Sequence, residues 1–154
     1  MGYQHIQIPT DGEKITVNSD FSLNVPSNPI IPYIEGDGIG PEVTGATCEI
    51  LDAAGAPIEW ERVPAGLKAA EQLGHPMPEA VLTSLRRNRV GLKGPLATPK
   101  GKGYRSANVQ LRQGLNLYTG WRPVLSLPNV PSRYQDVDVV VLRENTQGLY
   151  AGIE

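Results

Sequence analysis

The sequence predicts an α/β fold, a sheet flanked by helices and entered through an N-terminal β-hairpin arm, and three observations carry that prediction. Short apolar runs at Ile30–Ile34 and Val137–Arg143, and a strand-like stretch at Ile58–Val63, recur between stretches of helical periodicity. Pro41 and Pro78 stand where two of the helical stretches begin, and Gly55 where the first ends. The opening residues alternate in short pieces, QHIQIP, KITVN and LNVP, separated by the turn pairs Asp11-Gly12 and Asn18-Ser19.

Taken in order, residues 1–29 are the arm, 30–128 belong to a large α/β domain, and 129–154 begin a smaller one, with Asn129–Arg133 (NVPSR) as the crossing. The Ile30–Ile34 strand, interrupted by Pro32, ends in the glycine turn Glu35-Gly36-Asp37-Gly38-Ile39-Gly40. Pro41 then opens a helix to about Ala54, whose stripe Val43, Thr47, Ile50, Leu51 and Ala54 is predicted to be core. Ile58–Val63 reads as a strand and Gly66–Leu73 as a short helix. Pro78 opens another helix to about Arg87, with Val81, Leu82 and Leu85 inward. Arg86, Arg87 and Arg89 at its C-terminal end read as solvated charges that favour the helix dipole. Strands follow at Val90–Lys93, around Leu117–Val124 and at Val137–Arg143, the last a near-continuous run of the kind buried on both faces.

The totals narrow the function classes. With 154 residues, 40% of them hydrophobic, the chain can bury one sizeable core, and no apolar run approaches a membrane span. No basic segment followed by an apolar one marks a secretory leader, so a cytoplasmic location is expected, with no membrane partner. A formal charge of −2 disfavours nucleic acid as a partner. The lone cysteine, Cys48, excludes an internal disulfide and reads as a packed, inert thiol. His5 and His75 have no partner at ligand spacing, and both read as structural. Asp37, Glu42 and Glu144 read as a turn former, a first-turn helix charge and a strand-end contact.

The chemistry concentrates in Gly91–Gln113, GLKGPLATPKGKGYRSANVQLRQ. Gly94-Pro95 stops a strand, Lys100, Lys102 and Arg105 sit among Gly101 and Gly103, and Ser106 stands where an N-cap would, before the helix formers Ala107–Gln113. On that helix Asn108 and Arg112 fall one turn apart on one face, with Ser106 at the positive end of the dipole, so a carboxylate or phosphate fits. Arg122 and Arg143 follow at the ends of predicted strands, where α/β sheets place ligands. Arginine's planar fork grips carboxylates in pairs, which points to a substrate carrying several of them. The glycine turn is no Rossmann fingerprint: counted from Gly36 the sixth position is Pro41, and from Gly38 it is Val43. Glu59 and Glu61 nevertheless fall where a ribose-binding acid would.

The motifs YIEGDGIGPEV, KGPLATP, RSANVQLRQ, LY-x-x-WRPV and LRENTQGLYAGIE resemble those of the β-decarboxylating 2-hydroxyacid dehydrogenases, and specifically isocitrate dehydrogenase. They occur in that family's order from end to end of the chain, whereas the family's chains continue well past such a tyrosine motif. The resemblance implies a partial isopropylmalate dehydrogenase-like, non-Rossmann sheet, and oxidative decarboxylation of isocitrate with NAD or NADP. By the same resemblance, Ser106, Asn108, Arg112, Arg122 and Arg143 bind the tricarboxylate, and Tyr150 is the catalytic acid. Lys93 and Thr98 line the site near the nicotinamide. The Mg2+ or Mn2+ ligands, the catalytic lysine and the adenine-binding segment belong to sequence beyond Glu154. A homodimer in the full-length context, and a protein kinase acting on Ser106, are implied as partners. Two alternatives remain: a catalytically inactive binding or regulatory protein built on this half-site, and a dehydrogenase for a related malate. Ser106 and Asn108 disfavour the latter, because an apolar substituent calls for aliphatic neighbours.

Overall fold

The computed structural model describes residues 5–98 and 105–148. By its contacts the chain forms two compact units, Met1–Leu111 and Arg112–Glu154. The division falls after Leu111, whereas Asn129–Arg133 lies within the second unit.

The first unit is organised around β3 (Ile30–Ile34), which lies between β4 (Glu59–Arg62) and β5 (Leu92–Lys93) in a parallel sheet. Ile30 pairs with Glu59 and Tyr33 with Leu92. A proline in a central strand needs an account, because it cannot donate to the ladder. Ile34 directs its carbonyl toward β5, accepting from Gly94 N, while Tyr33 directs its own toward Val63 N on the β4 side. Two residues before Ile34, Pro32 therefore also faces the β5 side, where pairing begins only at Tyr33. Its missing N–H falls where no ladder bond is made. Ile30 and Ile34 are 1% exposed on the inner face, with Val63, Ala69, Met77, Val81 and Leu82 completing the core.

Ahead of this sheet, β1 (Thr16–Val17) and β2 (Leu23–Asn24) pair antiparallel as the predicted arm, and Ile6 and Ile15 are buried. The helices α1 (Gly40–Ala53), α2 (Leu67–Leu73) and α3 (Glu79–Asn88) fall where proline and glycine place them. Pro41 lies in the first turn of α1, Pro78 caps α3, and α2 ends on Gly74 in the left-handed region. Tyr33 and Trp60 meet edge to face at 5.8 Å, and the Trp60 indole donates to Asp52 of α1 at 3.0 Å.

The predicted core stripe of α1 is not core. Val43 is 50% and Ile50 69% exposed, and Ala54 is also exposed, whereas Gly40 and Thr44 are buried. The rotation of α1 is set by a polar contact: the Thr44 hydroxyl donates to the Glu35 carbonyl at 2.9 Å, turning Thr44 inward and the aliphatic stripe out. In α3, Val81 and Leu82 point inward as predicted, but Leu85 is only half-buried, and Ser84 and Asn88 join Val81 in full burial. They do so because Glu61 of β4, fully buried, accepts from the Ser84 hydroxyl and lies 3.5 Å from Asn88 Nδ2. Arg87 is drawn toward the same carboxylate, its Nη1 3.7 Å from Glu61 Oε2, rather than projecting freely into solvent. Arg86 instead pairs with Glu79 at 2.8 Å on the surface.

The second unit is a two-stranded antiparallel ribbon, β6 (Thr119–Leu125) with β7 (Asp138–Glu144), in continuous register from Thr119–Glu144 to Leu125–Asp138. The predicted burial of the last strand on both faces does not hold. Val139, Val140, Val141 and Leu142 are all exposed, as are Trp121 and Leu125 across from them. An antiparallel ribbon has two faces, and among the described residues no layer covers either. The boundary helix α4 (Ala107–Gly114) buries Ala107 and Leu111.

Candidate functional site

The site in the first unit is built where the glycine turn after β3 meets the segment after β5. The Asp37 N–H donates to the Pro95 carbonyl at 2.7 Å, and Asp37 Oδ2 accepts from Ala97 N at 2.9 Å. The other oxygen, Oδ1, accepts from Leu67 N at 2.8 Å, at the first residue of α2. Asp37 is more than the local turn former its place in the sequence suggests: it fastens three segments together. Two glycines make room for this. Gly36 (φ +93°) leaves space that a Cβ would take from the Pro95 backbone, and Gly66 (φ +87°) leaves space that a Cβ would take from the Asp37 carboxylate. Gly36 and Gly40 are thus packed against the protein's own backbone, and of the turn's glycines only Gly38 faces open space. That is unlike a phosphate cradle, in keeping with the missing Rossmann pattern.

From Ala97 the chain reaches Thr98, whose hydroxyl donates to Ser106 Oγ at 3.2 Å. Ser106 immediately precedes α4 and its carbonyl accepts from Gln110 N at 3.0 Å, the first-turn bond of the predicted helix. Asn108 is half-buried, and its amide donates to the Leu96 carbonyl at 3.2 Å. Thr98, Ser106 and Asn108 are therefore gathered at one helix start, two hydroxyls and an amide around the positive end of the dipole. Lys93 turns its ammonium onto the Gly94 carbonyl at 2.9 Å. Lys100 and Lys102 of the basic loop lie outside the described residues, as does Tyr150.

In the second unit, Arg112 lies in the last turn of α4, half-buried, and its carbonyl accepts from Leu117 N. Arg143 pairs with Gly120 and Arg122 with Val141, so the two arginines project from the same face of the ribbon as diagonal neighbours. The next residue, Glu144, turns its carboxylate onto the Thr146 N–H and hydroxyl and the Gln147 N–H at 2.7–2.9 Å. Partial desolvation raises its pKa, and these hydrogen bonds outweigh that effect, so the carboxyl ionises below its ordinary value. This is the strand-end contact the sequence predicts.

Glu61 is no ribose ligand, being sealed under α3 with Ser84, Asn88 and Arg87. Glu59 begins β4, pairing with Ile30, and its N–H donates to the Pro29 carbonyl. Cys48 is half-buried, and burial followed by the nearby Asp52 pushes its thiol up from the ordinary value, in keeping with an inert side chain. His75 is held locally, its Nδ1 2.9 Å from the Met77 carbonyl. A separate cleft of about 470 Å³ is lined by Glu35, Arg62 and Lys68, with Arg62 paired to Glu35 at 2.7 Å, and none of the predicted site residues lines it. Among the described residues no three acids, histidines or cysteines cluster as a metal site, and no helix is long and apolar enough to cross a membrane.

Comparison with known proteins gives the family. Residues 30–154 match the isocitrate/isopropylmalate dehydrogenase family. The chain is 48% identical, over its whole length, to 39% of the isocitrate dehydrogenase [NADP] of Haloferax volcanii, and 47% identical to 39% of that of Archaeoglobus fulgidus. Among solved structures, isocitrate dehydrogenase from Methylococcus capsulatus superposes with a TM-score of 0.74 at 49% identity, over 81% of this chain and 37% of that one. The beta-decarboxylating dehydrogenase TK0280 of Thermococcus kodakarensis superposes with a TM-score of 0.65 at 33% identity, over 79% and 35%. The chain thus spans about two fifths of the relatives it matches. With β3 to β7, the glycine turn and α4 all inside the matched region, the chain belongs to the isocitrate/isopropylmalate dehydrogenase family.

Proposed function

We propose that this chain is the substrate-binding portion of an NADP-dependent isocitrate dehydrogenase, which oxidises isocitrate and releases its β-carboxylate to give 2-oxoglutarate. The observation that carries this reading is the meeting of Thr98, Ser106 and Asn108 at the start of α4, where neutral donors and the helix dipole suit a carboxylate. In this reading Ser106 and Asn108 receive one carboxylate. Arg112, Arg122 and Arg143 supply guanidinium forks to the substrate, an assignment supported by their motifs and, for the last two, by their common face. Tyr150 is assigned the proton donation that follows decarboxylation, and Lys93 and Thr98 the neighbourhood of the nicotinamide. The names of the relatives favour NADP over NAD.

The described acids do not fit a divalent metal, so the ligands for Mg2+ or Mn2+ are assigned to sequence outside this chain. What this chain's residues do is bind and orient: the arginines offset the substrate's charge, and the Ser106 and Asn108 donors fix one end of it. A homodimer, a cytoplasmic setting and modification of Ser106 by a kinase complete the reading. Joining the chain to the remaining portion of the Haloferax volcanii enzyme tests it. NADP reduction that requires both isocitrate and magnesium or manganese is expected, with a KM for isocitrate raised by Ser106→Ala. A KM indifferent to that change removes isocitrate from this site.

A further inference from the structure

We infer that Asp37 is a positioning residue, which sets Thr98 against Ser106 and thereby shapes the end of the site that receives a substrate carboxylate. The inference rests on the isocitrate reading above and extends it to a residue outside the substrate-contacting set. Asp37 is 9% exposed, and each of its carboxylate oxygens accepts one backbone N–H, from Leu67 and from Ala97. Those donors lie 30 and 60 residues away in sequence, so this one side chain joins the start of α2 to the segment that follows β5. Its own N–H and the Pro95 carbonyl add a second strut to the same segment. Ala97 is the residue directly before Thr98, whose hydroxyl reaches Ser106, and Leu96 before it supplies the carbonyl that holds Asn108. Displacing Ala97 therefore moves both partners at the helix start. Displacement of even about 1 Å at a positioning element can lower turnover about a hundredfold.

The carboxylate is suited to this in a way that its amide is not. Two N–H donors converge on two oxygens, and an asparagine can meet only one of them, turning its own NH2 toward the other. Asp37→Asn thus removes one of the two bonds and leaves the other to a neutral oxygen, while keeping shape. The Gly66 backbone closes off the far side of the carboxylate, leaving little room for the side chain to swing away.

The test uses the chain completed with the Haloferax volcanii portion, below the melting range of every variant. For Asp37→Asn the inference expects faster exchange of the Ala97 amide and, through displacement of Thr98 and Leu96, a rise of about tenfold in the KM for isocitrate. A lowered melting temperature with unchanged KM and kcat overturns it, since that is all a merely structural role would give. If Asp37→Asn does not fold, Ala97→Pro deletes the one N–H at issue and leaves the carboxylate in place. A raised KM supports the inference and an unchanged one overturns it. Ser106→Ala separates the two levels: a KM insensitive to both substitutions overturns the isocitrate reading itself, whereas a KM sensitive to Ser106→Ala alone overturns only the role of Asp37.

Discussion

Gly120 stands directly across the β6–β7 ribbon from Arg143, so the arginine looks over a position with no side chain. Arg122, two residues along β6, shares that face, and the space a side chain at Gly120 would take is held by the Asn145 amide, 3.0 Å from where a Cβ would stand. If both forks grip carboxylates in pairs, charge alone cannot replace them. Arg143→Lys in the completed enzyme should raise the KM for isocitrate about tenfold, and Arg143→Ala about a hundredfold, the range of one to two charge-assisted hydrogen bonds. Steady-state kinetics decide this, and a lysine variant matching the parent would show that the site uses a point charge.

On the isocitrate reading, a phosphate on Ser106 would occupy the space proposed for a substrate carboxylate. Ser106→Asp is expected to abolish turnover while the circular dichroism spectrum stays that of the parent, because the added charge meets the incoming anion at short range. Turnover within a few-fold of the parent would separate the two anion positions.

The carboxylate of Glu61 is fully buried, with Ser84, Asn88 and Arg87 about it. Glu61→Ala leaves those groups without their shared acceptor and should destabilise by about 2–4 kcal/mol. Glu61→Gln, which keeps an acceptor for Ser84, should destabilise less. Urea denaturation read by Trp60 fluorescence measures both, and equal losses for the two variants would count against a role for the charge.

Glu144 predicts a pH dependence with a definite sign. Its folded pKa lies below the ordinary 4.5, so its contribution to the turn at Thr146 and Gln147 is complete above that value and is lost as pH falls through the folded one. Amide shifts of Thr146 and Gln147 should move together below pH 4.5 in the parent and stay flat in Glu144→Gln. A titration midpoint at or above 4.5 would contradict the hydrogen bonds described.

The 154 residues alone should not reduce NAD or NADP with isocitrate and magnesium or manganese, since among the described residues no carboxylate cluster can hold the metal. The comparison is the same assay with Tyr150→Phe. Metal-dependent turnover above that variant would mean that a second copy completes the site.

Much of this was legible in the sequence, because proline and glycine mark element ends by rules that need no tertiary context. Pro41, Pro78 and the runs at Ile30 and Val137 each place an element within a residue or two of its observed bounds. Which face a helix buries was not legible for α1. Its aliphatic stripe predicts one rotation, and a single hydroxyl at Thr44, bonded to the Glu35 carbonyl, imposes another. Asp37 was equally opaque: an aspartate in a glycine turn has a sufficient local explanation, and nothing in spacing reveals donors 30 and 60 residues away. The type of residue at Ser106, Asn108 and the arginines pointed to an anion. The contact of Thr98 with Ser106 could come only from the fold. The exposed apolar faces of α1 and β7 misled for a further reason: composition records how apolar a strand or helix is, and says nothing about which segment covers it.

The central place of β3 also sets a timetable. The β6–β7 ribbon pairs locally and can find its register within about 10 μs of both strands being available. β3 instead waits for β4 and then for β5, whose first paired residues, Glu59 and Leu92, come one and two crossovers later. On a ribosome adding about 5–20 residues per second, the run IIPYI is made several seconds before its last neighbour, and until then one side of its backbone has no strand to pair with. Pro32 lies on that waiting side, where a residue without an N–H withholds one donor from any stray strand that reaches it first.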